Sequence, residues 1–282
     1  MSPDQQTSVA SVLDHAQKLP SLPSVVLEIL ESFDNERMDV STLAGKIAND
    51  QALVARVMRV ANSAFFGLSG QVGTIFEAIS VLGFNNLRGL VTAAAIINAS
   101  PKNLGEFDLV VFWRHGICTA ACAKVLAKRL GLNPEIAFTA GVLHDIGKLI
   151  IVMEYPAAAK VVAVDEASDE SFLEAERNLI GYDHAALGGE LAQRWKFPQA
   201  IRDAIRLHHS PPDASGRSNL SDVVYIANLF AHALDQGKIR EQKFAMLSAE
   251  AYDRLTLDQS EWPALAQAAQ QLYMGSIQLV GE

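Results

Sequence analysis

Cysteine, basic charge and long apolar runs are all scarce in this chain of 282 residues. The only cysteines, Cys118 and Cys122, lie four residues apart in a helical pattern, which gives no disulfide framework and predicts reduced core thiols. Lysine and arginine number 23 against 32 aspartates and glutamates, a net charge of −9, and like charges never form a long run. Such a surface repels phosphate backbones, so no nucleic-acid partner is expected. The N-terminal Met-Ser-Pro-Asp-Gln-Gln-Thr carries no basic leader, and the most apolar stretch, Leu90 to Ile97, is far shorter than the roughly 20 residues that span a bilayer. A cytoplasmic protein with no membrane partner is the expectation. No glycine-rich phosphate loop occurs, which leaves ATP-driven and nicotinamide chemistry without support, and neither Ser-His-Asp nor Cys-His catalysis has a nucleophile context. Glycine (18) and proline (10) are too few for a disordered or collagen-like chain.

What is present reads as helix. Half of the residues are hydrophobic and 20% are charged, a globular composition long enough for two domains or for one with a substantial extension. Apolar residues recur at helical spacing in nearly every long segment, whereas period-two alternation is rare, so the predicted fold class is all-α with two helical subdomains. Leu19-Pro20-Ser21-Leu22-Pro23 makes a rigid entry to a helix running through Leu30. Helices are predicted over Ser41 to Ala48, over Gln51 to Ala61 behind the start signals Asn49 and Asp50, over Phe76 to Leu82 and over Leu87 to Ile97, the last two broken at Gly83. The turn cluster Ser100-Pro101-Lys102-Asn103-Leu104-Gly105 marks a boundary, giving subdomains over residues 1–103 and 104–245. In the second, Phe107 to Leu130 forms a long helix closed by Gly131, and Asn133-Pro134-Glu135 opens the next. Another turn cluster runs from Ser210 to Asn219, and residues 246–282 form a tail with an amphipathic helix from Ser260 to Tyr273.

Five histidines fall at informative places: His115, His144 beside Asp145, His184, and the pair His208-His209. His115 shares a stripe with Cys118, Cys122 and Leu126; His184 follows the cap Asp183 and aligns with Leu187, Leu191 and Trp195; His208 follows Ile201, Ala204 and Ile205 on an apolar face. All of these imidazoles therefore point inward. Burying each polar ring without a partner costs on the order of 1 to 3 kcal/mol, and a shared divalent cation satisfies several at once. A buried polar network without metal is the alternative.

His144-Asp145-Ile146-Gly147-Lys148 resembles the signature of the HD metal-dependent phosphohydrolase superfamily, and the spaced histidines are similar to its HD-GYP branch. The stronger resemblance is to the HDOD family of bacterial regulatory proteins. It is carried by Leu19 to Pro23, Ile47 to Leu53, Ala61-Asn62-Ser63-Ala64-Phe65-Phe66-Gly67 and Ala78 to Gly83 in the first half. In the second half it is carried by Phe112 to His115, Gly181 to His184, Trp195 to Pro198 and His208-His209, and it covers roughly residues 13 to 235. It implies that the second subdomain is an HD-like helical bundle.

The resemblance also implies a divalent-metal site of one or two ions. His115, His144 and Asp145 would hold the first ion, and Asp145, His184, His208 and His209 the second. A late aspartate of the family falls on Asn228, a poorer ligand for a hard cation; Asp222 is a less suitable substitute. Iron, manganese, nickel and zinc suit the histidine-rich set equally on ligand type. Were the site active, water activated by the cation would attack a phosphoester, with Asp145 and Lys148 as the catalytic residues; Lys148 would otherwise reach to solvent. The implied function is a signalling protein with a protein partner and a weakly active or inactive metal site. The alternative is a working phosphohydrolase with a phosphoester or nucleotide ligand.

Overall fold

The computed structural model describes residues 40–62, 72–100, 103–159, 169–209, 219–234 and 257–280, with isolated positions at 9, 13, 24, 27, 28, 162 and 255. The Leu19 to Pro23 entry, the segment Ser63 to Gly67 and most of the Ser210 to Asn219 turn lie outside the described residues. All regular structure among the described residues is helical, which agrees with the all-α expectation. The first half supplies α1 (Val40–Ala48), α2 (Gln51–Ala61), α3 (Ile75–Leu82) and α4 (Phe84–Ala99). Then come α5 (Leu109–Arg129), α6 (Pro134–Leu143), α7 (Ile146–Glu154), α8 (Asp169–Ile180), α9 (His184–Arg194), α10 (Gln199–Leu207) and α11 (Asn219–Leu234). After them α12 (Trp262–Ser276) closes the order.

Local chemistry sets the boundaries. Asp50 accepts the backbone N–H of Leu53 at 3.0 Å to start α2, and Thr74 with Glu77 forms a reciprocal capping box on α3. Gly83, at φ 81°, ends α3 and turns the chain into α4 at a conformation that side chains with a Cβ resist. The pattern predicts α5 from Phe107, but it begins at Leu109 because the Asp108 carboxylate takes the N–H groups of Val110 and Val111 at 2.9 and 3.0 Å. Asn133 caps α6 in the same way, with Pro134 as its first residue. Asn62, at the end of α2, donates to the Val72 carbonyl at 2.9 Å and accepts from the Val72 N–H at 3.0 Å, so its amide ties the end of α2 to the backbone that leads into α3.

Helix α5 is the spine: α6, α11 and α12 all pack along it, while α9 packs on α7 and α10. Gly141 lets α6 approach α5, since a Cβ there would stand 2.6 Å from Ala120 Cα. The apolar core runs without a break through Ile47, Leu87, Ile117, Phe230 and Leu279, and α4 packs on α6 across position 103. Helix α12 joins that core through Trp262 and Tyr273. Its end returns to the first half, where the Arg56 guanidinium donates to the Leu279 carbonyl. Two stretches, Leu109–Arg129 and Pro134–Glu154, exceed Leu90 to Ile97 and are long and apolar enough in composition to cross a bilayer. Their most apolar windows are 61% and 89% buried inside the protein, so that apolarity faces the core.

Candidate metal centre

His144 and Asp145 occupy the break between α6 and α7, where the helix ends and restarts within two residues. Three of the five imidazoles are anchored from behind. His144 Nδ1 lies 2.7 Å from the Gly141 carbonyl, and His208 Nδ1 lies 2.7 Å from the Ile205 carbonyl. His184, the first residue of α9, gives both its backbone N–H and its Nδ1–H to one oxygen of Glu176, at 2.7 and 2.8 Å. Each of these partners only accepts, so each Nδ1 carries the hydrogen and each neutral ring presents a bare Nε2 on its other side.

Those nitrogens converge with the Nε2 atoms of His115 and His209. His184 Nε2 lies 3.2 Å from His208 Nε2 and 2.9 Å from His209 Nε2, and His115 and His144 meet through Nε2 at 3.3 Å. Asp145 sits among them, its Oδ1 3.2 Å from His184 Nε2 and 3.5 Å from His208 Nε2. Its Oδ2 is 3.4 Å from His144, 3.8 Å from His115 and 2.8 Å from the Lys148 ammonium. His144, His184 and His208 are fully buried, and among the described residues Asp145 Oδ1 has no hydrogen-bond partner. Lone pairs facing one another in a dry interior repel unless a positive charge lies between them. The donor set therefore fits a cation, in two groups that share Asp145: His115, His144 and Asp145, and Asp145, His184, His208 and His209.

The electrostatics prepare the ligands in the forms a cation needs. Burial pushes the His144, His208 and His209 imidazoles below their ordinary value, toward the neutral ring. Burial also opposes the charge of Asp145, but neighbouring His144 and the Lys148 ammonium hold its carboxyl well below the usual carboxylate range. His184 goes the other way: against burial, Glu176 and Asp145 push it up to about 9, so without a cation it takes a proton instead.

All six side chains expected as ligands are thus brought together. Lys148 does not extend into solvent: it is buried, paired with Asp145 and 5.4 Å above the Phe172 ring. Asn228 and Asp222 are buried on α11 and belong to neither group. Two residues were not anticipated. Glu176 is one; the sign of it is a carboxylate on the apolar stripe of α8, in line with Leu173 and Ile180. His232 is the other, its ring centroid 4.7 Å from that of His115. A cavity of about 90 Å³ lined by Phe107, Val111, Phe112 and His115 reaches Asp145 and Lys148.

The HDOD domain family matches residues 19–211, more than two thirds of the chain. The chain belongs to the HDOD family. A supposed phosphohydrolase from Shewanella amazonensis SB2B is 36% identical and superposes with a TM-score of 0.76, covering 95% of this HDOD chain and 98% of that one. An uncharacterized protein of Treponema pallidum (strain Nichols) is 30% identical over 241 residues, 80% of the HDOD chain and 44% of that protein. Ribonuclease Y of Thermus thermophilus is 33% identical over 101 residues, 36% of this chain and 13% of the enzyme. The HDOD chain spans less than half the length of these two curated relatives.

Proposed function

We propose that this HDOD chain is a signalling protein whose HD-like half holds a divalent cation as a structural or sensory element, with weak or absent hydrolytic power. The observation that carries the reading is the ring of back-anchored imidazoles, His144, His184 and His208, turned on the unpartnered oxygen of Asp145. His184, His208, His209 and Asp145 would hold one ion tightly. His115, His144 and Asp145 would hold a second more loosely, with three donors and with the amide of Asn228 where the resemblance puts a carboxylate. Iron, manganese, nickel or zinc fits this donor set. When bound, such a cation supplies Lewis acidity and lowers the pKa of water. Lys148 would keep Asp145 ionised as a ligand, and Glu176 would fix the tautomer of His184. A protein partner in a bacterial cytoplasmic signalling pathway completes the proposal.

Elemental analysis of the purified protein, beside a screen with a generic phosphodiester and a generic phosphomonoester, tests it. Bound metal without turnover is the expected result. A protein that carries no metal and shows no stability change on adding a chelator overturns it.

A second reading, a working phosphohydrolase, is favoured by Lys148 beside Asp145 and by the cavity that reaches both. The likeness to the Shewanella protein points the same way. Under this reading turnover appears, disappears in His144→Ala and Asp145→Ala, and rises in Asn228→Asp.

A further inference from the structure

His232 lies outside both groups of candidate ligands, yet it touches one of them. Its ring and that of His115 have centroids 4.7 Å apart and planes tilted by 33°, a ring-on-ring contact between α11 and α5. His115 differs from the anchored imidazoles in a way that makes this contact matter. His144, His184 and His208 are fully buried and held by an acceptor behind the ring, whereas the His115 side chain is 14% exposed. Among the described residues, no carbonyl or carboxylate holds His115 Nδ1. An imidazole rotates about two side-chain torsions, and the second is broad. His144 and Asp145 meet its Nε2 end at 3.3 and 3.8 Å, which leaves the rest of the ring to be steadied by what lies against its face.

We infer that His232 is a positioning residue for the His115-side cation: its ring face sets the orientation of His115, as Gly141, Ile205 and Glu176 do for the other rings through hydrogen bonds. The inference rests on the metal reading above. It also gives a role to the end of α11. His232 follows Asn228 by one helical turn, so this helix, which brings an amide where a carboxylate would bind directly, also brings a flat ring that supports a ligand already there. The contact acts through shape and not through a nitrogen, which makes phenylalanine an adequate replacement and alanine an inadequate one.

Calorimetric titration of the metal-stripped full chain with manganese(II), and separately with zinc(II), tests this. Wild type should show a tight and a weak class of binding. His232→Ala should weaken only the weak class, by about 10- to 100-fold, the usual loss when a group that orients a ligand is removed. His232→Phe should stay within about 3-fold of wild type. An alanine variant that binds like wild type overturns the inference, and so does a phenylalanine variant as weak as alanine, which would give the role to a nitrogen. Wild type that saturates at one tight cation also overturns it, because no His115-side ion then exists. If the alanine variant fails to fold, His232→Leu fills the same space without a flat face and is expected to weaken the weak class likewise.

Wild type that takes up no cation overturns the metal reading itself. The contact is then judged on metal-free protein by the imidazole ¹⁵N resonances of His115: they should lose a single tautomer in the alanine variant and keep it in the phenylalanine variant. Unchanged resonances in alanine overturn the inference whether or not metal binds.

Discussion

Glu176 and the carbonyls of Gly141 and Ile205 perform one task with different chemistry, and only Glu176 can be changed by substitution without altering the backbone. Glu176→Gln should keep the fold and the shape of the site but weaken cation binding by about 10- to 100-fold, measured by titration of metal-stripped protein. The reason is charge: the carboxylate makes the His184 ring a stronger base, and an amide does not. Among the candidate ligands, His115, His184 and His208 were legible in the sequence because each interrupts an apolar stripe, a place where a polar ring needs a reason to be, and His144 because it precedes Asp145 in the His-Asp run. Glu176 interrupts its stripe equally, but it belongs to no motif, and its partner lies eight residues away across the turn between α8 and α9. His232 was missed because its neighbour lies on a helix more than a hundred residues earlier. Lys148 was legible as a candidate, but its direction was not, since a lysine stem follows either solvent or a nearby carboxylate.

Helices α7 and α9 come close enough for Asp145 and His184 to share a site because Gly147 has no side chain. A Cβ there would overlap the His184 carbonyl oxygen and press on the Gly188 backbone. Backbone cannot give way as a side-chain tip does, so Gly147→Ala should destabilise by at least about 1 to 3 kcal/mol, read from denaturant unfolding. The same variant should lose metal uptake as α9 is pushed away from Asp145. Element boundaries at Gly83 and Asn133-Pro134 were readable from turn and cap chemistry that acts within a few residues. The break at His144-Asp145 was not: the pattern marks where the helix opens at Asn133-Pro134-Glu135 but carries no stop signal before Asp145, and α6 and α7 on either side of the break pack on α5 and α9 respectively.

Across the whole molecule, one core joins the two halves and the C-terminal helix, so cation binding at the candidate centre should register in global stability. Saturating the stripped protein with cation to about 100 times its Kd should raise stability by about 2.7 kcal/mol. That corresponds to an increase in Tm on the order of 5 to 10 °C, and excess chelator should reverse it. Alkaline pH acts on the same core. Burial, reinforced by Cys118, pushes the Cys122 thiol well above its ordinary value of 9.0, and burial pushes the Tyr273 phenol up to about 12 from 10.0. Both groups hold their protons more tightly when folded. Their contribution is therefore complete below pH 9 and fades as pH rises, first through the thiol and then, between pH 10 and 12, through the phenol. Chemical unfolding at pH 8, 9.5 and 10.5 should show this loss, and neither cysteine should react with iodoacetamide at pH 8.5 until the chain unfolds. The tail is an appendage when read from sequence, since nothing in residues 246–282 names a partner. In three dimensions Glu261 pairs with Arg129 at 3.0 Å, and the Trp262 ring packs at a tilt on Phe230 with centroids 4.0 Å apart.

Asp145 stands between both sets of nitrogen donors with a single negative charge to offer. Were two ions to bind, the second would meet a carboxylate already engaged and a dication of its own sign. Filling would then be antagonistic, and the saturation curve would stretch across a broader range of free metal than two unconnected sites would give. A protein loaded in that manner would report concentration as a graded quantity, where a cooperative one would snap between empty and full.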